Sequence, residues 1–149
     1  MSSNIHIKNE VVQFINQHGE SYFPNECCGF LYGHDGAQRT ILEAQPVANS
    51  KDGDQRRRFE ISPLDYLQAE RYALENDLQL LGIYHSHPNH PAIASEHDLA
   101  KALPFFSYVI VSVNDGVAGD LKSWKLYDEQ RAFFEERVAP LAGGTPAVF

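Results

Sequence analysis

Two short apolar segments constrain the fold of this chain most. They are LQLLGIYHS at residues 78–86 and SYVIVSV at residues 107–113. Each is an apolar run of strand length, and the second is rich in β-branched residues, so both are predicted as buried strands. A short helix is predicted between them from Ser95 to about Leu103, because a serine three residues before Asp98 is typical of a helix N-terminus.

The rest of the chain alternates between helical and strand patterns. The further predicted helices cover residues 5–18 and about 64–76, and the further predicted strands cover 27–33, 37–50, 59–62 and 121–128. Residues 129–138, EQRAFFEERV, are predicted as a helical or mixed element. Because tight turns link several strands, the pattern predicts an α/β fold with a mixed sheet flanked by helices. The length fits one domain over residues 1–149, with a flexible tail from about residue 139.

Charge and cysteine usage narrow the class of partner and the compartment. The formal net charge of -8 disfavours nucleic acid and anionic membranes as partners. The only cysteines are the neighbours Cys27 and Cys28, and a vicinal pair forms a disulfide only with strain. The N-terminus shows no signal peptide pattern, and no apolar run approaches the ~20 residues that cross a bilayer. We therefore expect a cytoplasmic protein; the sequence leaves its oligomeric state open.

The end of the first apolar segment carries a pair of histidines. His85 and His87 are two positions apart, so in a strand both imidazoles point to the same face. Pro88 cannot continue a central ladder and is expected to end the strand there. Two such imidazoles provide half of a zinc site, and a catalytic zinc usually has a third protein ligand. Asp98, in the first turn of the helix that Ser95 opens, is the best candidate for that ligand.

The stretch HSHPNHPAIASEHD, residues 85–98, resembles the signature of the JAMM (MPN+) metalloproteases. This signature is His-x-His-Pro followed by Ser-x-x-Asp, with ten residues between the second histidine and the aspartate. The family also has a glutamate ahead of a glycine-containing apolar strand, and Glu26 in NECCGFLYG matches it. The order of helices, strands and motifs extends the resemblance over almost the whole chain.

The resemblance implies a fold, a cofactor and a set of roles. The fold would be a cytidine-deaminase-like α/β/α sandwich. One Zn²⁺ would be held by His85, His87 and Asp98. Glu26 would act as the general base and Ser95 would donate a hydrogen bond to the oxyanion. The reaction would be hydrolysis of a peptide or isopeptide bond after the tail of a ubiquitin-like or sulfur-carrier protein, as in the small prokaryotic members.

Three other protein classes are alternatives to a JAMM metalloprotease. A non-catalytic MPN scaffold is the main alternative, but members of that class typically lack the ligands. Zinc deaminases need His-x-Glu and a Pro-Cys-x-x-Cys motif that this sequence lacks, and phage tail-assembly peptidases often carry a second hydrolase domain. His90, Glu96 and His97 are expected to be neighbours of the site only. Two features stay open: Arg56–Arg58 could be a solvated loop or contact a carrier, and the C-terminal GGTPAVF could dock in an active site.

Overall fold

The computed structural model describes residues 4–127 and 131–141, which form seven strands and three helices. In chain order these are β1 (Asn4–Ile7), α1 (Asn9–Tyr22), β2 (Cys28–Asp35), β3 (Arg39–Val47), α2 (Pro63–Glu75), β4 (Gln79–Pro88), α3 (Glu96–Ala100), β5 (Ser107–Asn114), β6 (Val117–Tyr127) and β7 (Ala132–Pro140). None of these helices is long and apolar enough to cross a membrane.

The strands form one mixed sheet in the order β1-β3-β2-β4-β5-β6-β7, and the sheet closes on itself. β1 is parallel to both β3 and β7, and β4 is parallel to β5. The other neighbours are antiparallel. A mixed sheet with flanking helices confirms the predicted α/β class.

The two faces of the sheet carry different helices and different cores. On one face, Val11 and Ile15 of α1 pack with Leu31, Val109 and Val111 of the sheet. On the other face, α2 packs through its small residues Ala69 and Ala73. The buried sheet residues in this second core are Phe30, Tyr32, Ile83, Tyr108 and Leu126. Because side chains alternate along a strand, β4 directs Ile83, His85 and His87 to the α2 face.

The start of the chain differs from the prediction of a helix from Ile5. Ile5 and Ile7 are fully buried strand residues, with the less buried His6 between them. This period of two belongs to β1, and the helix begins only at Asn9, after Lys8 adopts an extended backbone. The apolar spacing of a strand and a following helix had merged into one apparent helical pattern.

Two further segments also differ from their predictions. Residues 132–140, which overlap the predicted helical or mixed element, form β7 between β6 and β1. Residues 59–62, predicted as a strand, lie in an extended loop before α2. β7 ends at Pro140, inside the predicted tail, while the GGTPAVF segment lies outside the described residues.

Candidate functional site

The C-terminal end of β4 positions the histidine pair. β4 ends at Pro88, and the centroids of the His85 and His87 rings are 5.1 Å apart. Ser86, between them, points to the other face, where its Oγ accepts a hydrogen bond of 2.8 Å from the backbone N–H of Cys27. This bond fixes the end of β4 against the residue that precedes β2.

The start of α3 brings Asp98 to the histidines. Ser95 is the N-cap: its Oγ accepts a hydrogen bond from the Asp98 N–H at 3.0 Å, and its own N–H donates to Asp98 Oδ2 at 2.9 Å. The Nε2 atoms of His85 and His87 lie 3.7 and 3.4 Å from the oxygens of Asp98. The three potential ligand atoms all lie within 4.8 Å of one another. The capping box therefore holds the carboxylate where the two imidazoles converge.

The hydrogen bonding of the two imidazoles fits a metal ion. Nδ1 of His87 lies 2.8 Å from the carbonyl oxygen of Pro91, so Nδ1 carries the proton and Nε2 has a free lone pair. Both ring nitrogens of His85 are buried without a hydrogen-bond partner among the described residues. This state is unfavourable, and a metal ion bound to one of the nitrogens would relieve it. Two imidazoles and one carboxylate are a donor set that suits Zn²⁺.

The protonation states of His85 and Asp98 also suit metal binding. Burial lowers the pKa of His85 to about 4, so its ring stays neutral at physiological pH. Burial opposes ionisation of Asp98, but the neighbouring His85 and a hydrogen bond with His87 hold the pKa of Asp98 well below its usual range. A neutral imidazole and an ionised carboxylate are the forms that bind metals.

Glu26 lies beside His85, His87 and Asp98, which we call the metal-ligand cluster because they could hold a metal ion. It directly precedes the Cys27–Cys28 pair. Its side chain is 5% exposed, and Oε1 is 3.7 Å from Nδ1 of His85. Burial is the main cause that raises the pKa of Glu26 from 4.5 to about 8. A buried carboxyl group with a raised pKa beside a potential metal site is a candidate for proton transfer.

Two cavities flank the metal-ligand cluster. The first, which we call the apolar cavity, has a volume of about 380 Å³ and reaches His85 and Asp98. Its apolar lining consists mainly of Phe59, Ile61, Pro63, Tyr66, Ile83 and Tyr108. The second, the basic cavity, has a volume of about 440 Å³. Its polar lining consists of Glu26, Arg57, Arg58, His87, His90 and Ser95. Ser95 and Glu26 thus face the same space.

Two residues of the site were missed by sequence reasoning. The ring of Phe59 stacks on His85 with centroids 4.5 Å apart. Asn49, 7% exposed, donates from Nδ2 to the carbonyl oxygens of Glu26 and Arg58 at 3.0 and 3.1 Å. The charged run KDGDQRRR, which lies between these two residues, predicted a loop. The contacts of Asn49 and Phe59 with the site have no local sequence pattern, so they could not be predicted.

The neighbours named by the sequence fall at different places. His90 lines the basic cavity, and its carbonyl oxygen accepts a hydrogen bond of 2.6 Å from Ser112. His97 lines the apolar cavity, and Glu96 is exposed on α3. Arg57 and Arg58 line the basic cavity, and Arg56 lines a further cavity that also reaches Arg57.

Curated proteins of two kinds are similar to this chain. A desampylase from Pyrococcus furiosus is 29% identical over 106 residues, which are 71% of this chain and 70% of the desampylase. A CysO-cysteine peptidase from Mycobacterium tuberculosis is 28% identical over 123 residues, 82% of each chain.

Solved structures show the same fold. A protein from Desulfitobacterium hafniense superposes with a TM-score of 0.79 at 28% identity, with 92% of each chain covered. A JAB1/MPN domain protein from Archaeoglobus fulgidus gives a TM-score of 0.55 at 19% identity, over 90% of this chain and 98% of the other. The family model for prokaryotic homologues of the JAB domain matches residues 8–127, from the start of α1 to the end of β6. The chain therefore belongs to the prokaryotic JAB-domain family.

Proposed function

We propose that this protein is a zinc-dependent metallopeptidase. Its substrate would be a peptide or isopeptide bond after the C-terminal tail of a ubiquitin-like or sulfur-carrier protein. The observation that carries the proposal is the cluster of His85, His87 and Asp98 with the buried carboxylate of Glu26 beside it. The names of the relatives, desampylase and CysO-cysteine peptidase, support a protein substrate of this kind.

The ligands would be His85, His87 and Asp98, and the metal would be one Zn²⁺. When bound, Zn²⁺ supplies a Lewis acid and lowers the pKa of a coordinated water toward ~7.

The free thiols of Cys27 and Cys28 are both buried, and unpaired buried cysteines support a reducing compartment such as the cytoplasm.

Glu26 would move the proton in the reaction. Its carboxylate takes a proton from the attacking water and later gives it to the amine that leaves. Burial raises the pKa of Glu26 to about 8 in the protein without a metal ion, so the protonated acid is weak enough to retain the proton until the amine forms.

Ser95 would stabilise the negative charge that develops on the carbonyl oxygen. Its Oγ already accepts the hydrogen bond from the Asp98 N–H, so its hydroxyl proton is directed elsewhere and can be donated to the substrate. Removal of one such donor typically slows a reaction by about 100- to 1,000-fold. Because Ser95 is also the N-cap of α3, Ser95→Ala is expected to weaken the positioning of Asp98 as well.

Metal analysis combined with two site variants and one control variant tests the proposed site. We expect one zinc per wild-type chain and none in His87→Ala, while His34→Ala, which removes an exposed histidine of β2, keeps the metal. Glu26→Gln should keep zinc and fold but lose hydrolysis. Full zinc occupancy in His87→Ala would disprove the ligand set, and an active Glu26→Gln variant would exclude Glu26 as the base.

Cleavage of candidate carriers tests the proposed substrate class. Ubiquitin-like and sulfur-carrier proteins with C-terminal extensions or lysine conjugates are incubated with the zinc-loaded protein, and products are followed by intact-mass spectrometry. We expect a new carrier species that ends at the tail. If the zinc-loaded protein cleaves none of these carriers, so that wild type is as inactive as Glu26→Gln, the peptidase proposal fails.

A further inference from the structure

The basic cavity lies on the side of the site where the amine must leave. This position of the leaving amine rests on the proposed function, in which Glu26 returns a proton to the leaving nitrogen. The nitrogen must then be within hydrogen-bond reach of Glu26. Glu26 lines the basic cavity and is absent from the lining of the apolar cavity. Among the cavities of the described residues that reach the metal-ligand cluster, the basic cavity is therefore the one that receives the leaving group.

The charge of this cavity is opposite to that of the protein as a whole. Arg57 and Arg58 both line it, although the chain has a formal net charge of -8. The positive charge of Arg58 acts on Glu26, where it opposes the larger effect of burial. The guanidinium of Arg58 is therefore within electrostatic range of the proposed base.

Both guanidinium groups are available to a ligand. Arg57 Nε is 4.0 Å from Asp54, and the side chain is 76% exposed, a geometry in which an ion pair contributes little. Arg58 donates a long hydrogen bond of 3.4 Å to the carbonyl oxygen of Arg57. Within residues 4–127 and 131–141, no carboxylate oxygen lies within 4.0 Å of the Arg58 guanidinium. A guanidinium fork matches the two oxygens of a carboxylate.

The two possible kinds of leaving group differ in where they carry negative charge. A lysine side chain that leaves from an isopeptide bond has an aliphatic chain next to the nitrogen and no carboxylate near it. A C-terminal amino acid that leaves from a peptide bond has its α-carboxylate one carbon away from the nitrogen. Only the second places a carboxylate in the cavity while its nitrogen is at Glu26.

We infer that Arg57 and Arg58 bind the free α-carboxylate of the leaving group, so the preferred substrate is a carrier protein extended by one amino acid, or a few, through an ordinary peptide bond. The water oxygen bonds to the carbonyl carbon, the C–N bond breaks, and the proton goes through Glu26 to the amine. The products are a carrier that ends in a carboxylate and a free amino acid or short peptide. A neighbouring cavity of about 360 Å³ shares Arg57 and His90 with the basic cavity and adds Arg56. This cavity gives room for a second residue.

A matched pair of substrates tests this inference. The same carrier with a one-residue extension is prepared with a C-terminal carboxylate and with a C-terminal amide, and kcat/KM is measured for both at physiological salt. Because a hydrogen bond to a charged group is worth more than a neutral one, we expect wild type to prefer the carboxylate by about 10- to 100-fold. The double variant Arg57→Ala/Arg58→Ala should lose this preference, so that its kcat/KM values for the carboxylate and the amide become nearly equal.

The ratio of the two rates separates carboxylate recognition from other effects. Any change in the basicity of Glu26 alters both rates and cancels in the ratio. Arg71→Ala, which removes an exposed arginine of α2 outside both cavities, is the control for the loss of a surface arginine and should keep the preference. Equal rates for the two substrates in wild type, or an unchanged preference in the double variant, would overturn the inference and leave the peptidase proposal standing. Cleavage of neither substrate, nor of a lysine conjugate, would instead overturn the proposed function.

Discussion

Asn49 is a central attachment of the loop between β3 and α2 to the site. Besides its two donated bonds to Glu26 and Arg58, its Oδ1 accepts from the backbone N–H groups of Lys51 at 3.0 Å and Glu60 at 3.1 Å. The amide thus makes all four hydrogen bonds that an asparagine side chain can make. Asn49→Ala removes the four bonds at once and leaves the backbone groups without these partners.

The expected loss of stability follows from these four bonds. A typical intramolecular hydrogen bond contributes a net ~0.5 to 1.5 kcal/mol. The loop residues Lys51 and Glu60 are half-buried, so water can replace part of what their N–H groups lose. The bonds to the buried carbonyl oxygen of Glu26 and to Arg58 are harder to replace. We therefore expect Asn49→Ala to lower the free energy of unfolding by about 2 to 4 kcal/mol, and the Tm by about 6 to 12 °C.

Urea unfolding followed by circular dichroism measures this loss. Asn76→Ala is the control, since the Nδ2 of Asn76 donates one exposed hydrogen bond of 2.8 Å to Tyr72 and its loss should stay within about 1 kcal/mol. The folded fraction of Asn49→Ala should also have reduced kcat, because the carbonyl of Glu26 loses its bond from Asn49 and its backbone is then held, among the described residues, only through the bond from its N–H to Gln55. A loss of less than about 1 kcal/mol for Asn49→Ala would show that the loop is held by other contacts.

Three further outcomes are expected. Phe59→Ala removes the ring stacked on His85 and should weaken zinc binding by about 10-fold, measured by competition with a chromophoric chelator; unchanged affinity would refute a positioning role. In metal-free protein the pKa of Glu26 is raised from 4.5 to about 8 on folding, so the folded state binds the extra proton and stability falls as pH rises through that window. Urea unfolding with a chelator should then show Glu26→Gln gaining stability over wild type between pH 5 and pH 8, and a constant difference would contradict this. Gly82→Ala would place a Cβ 2.0 Å from the carbonyl oxygen of Ser107, so it should separate β4 from β5 and lower Tm by more than about 5 °C; a Tm within 2 °C of wild type would refute the close approach.

The local patterns of the sequence predicted the parts of the site that depend on one element. The period of two in β4 places His85 and His87 on one face, and the spacing of Ser95 and Asp98 gives the capping box that the structure contains. Glu26 is different, because nothing in its own neighbourhood distinguishes it from a solvated charge. Only the family resemblance selected it, and the structure places it beside His85 through the antiparallel pairing of β2 with β4.

The parts that could not be predicted depend on contacts between distant segments. β7 has no regular alternation: Glu136 is buried and accepts a hydrogen bond of 2.8 Å from Ser123, while Glu135 is exposed. Its strand character comes from pairing with β6 and β1, which the sequence of the segment alone does not contain. The position of Phe59 similarly depends on the loop that Asn49 holds. The β-propensity of FEIS predicted a strand, but residues 59–62 do not pair with any strand of the sheet.

The position of β1 between β3 and β7 has a consequence for the order of events during synthesis. Asn4–Ile7 leaves the ribosome before the other described strands, and its partner in β3 follows soon afterwards. Its other partner, Arg137–Pro140 of β7, comes about 130 residues later, which takes roughly 6 to 26 s at ordinary rates of translation. Through that interval one side of β1 has no neighbour, and β6, which is made shortly before β7, also lacks its second partner until β7 follows. Unpaired strand edges are where chains associate wrongly, so the growing chain is most exposed to aggregation just before β7 emerges.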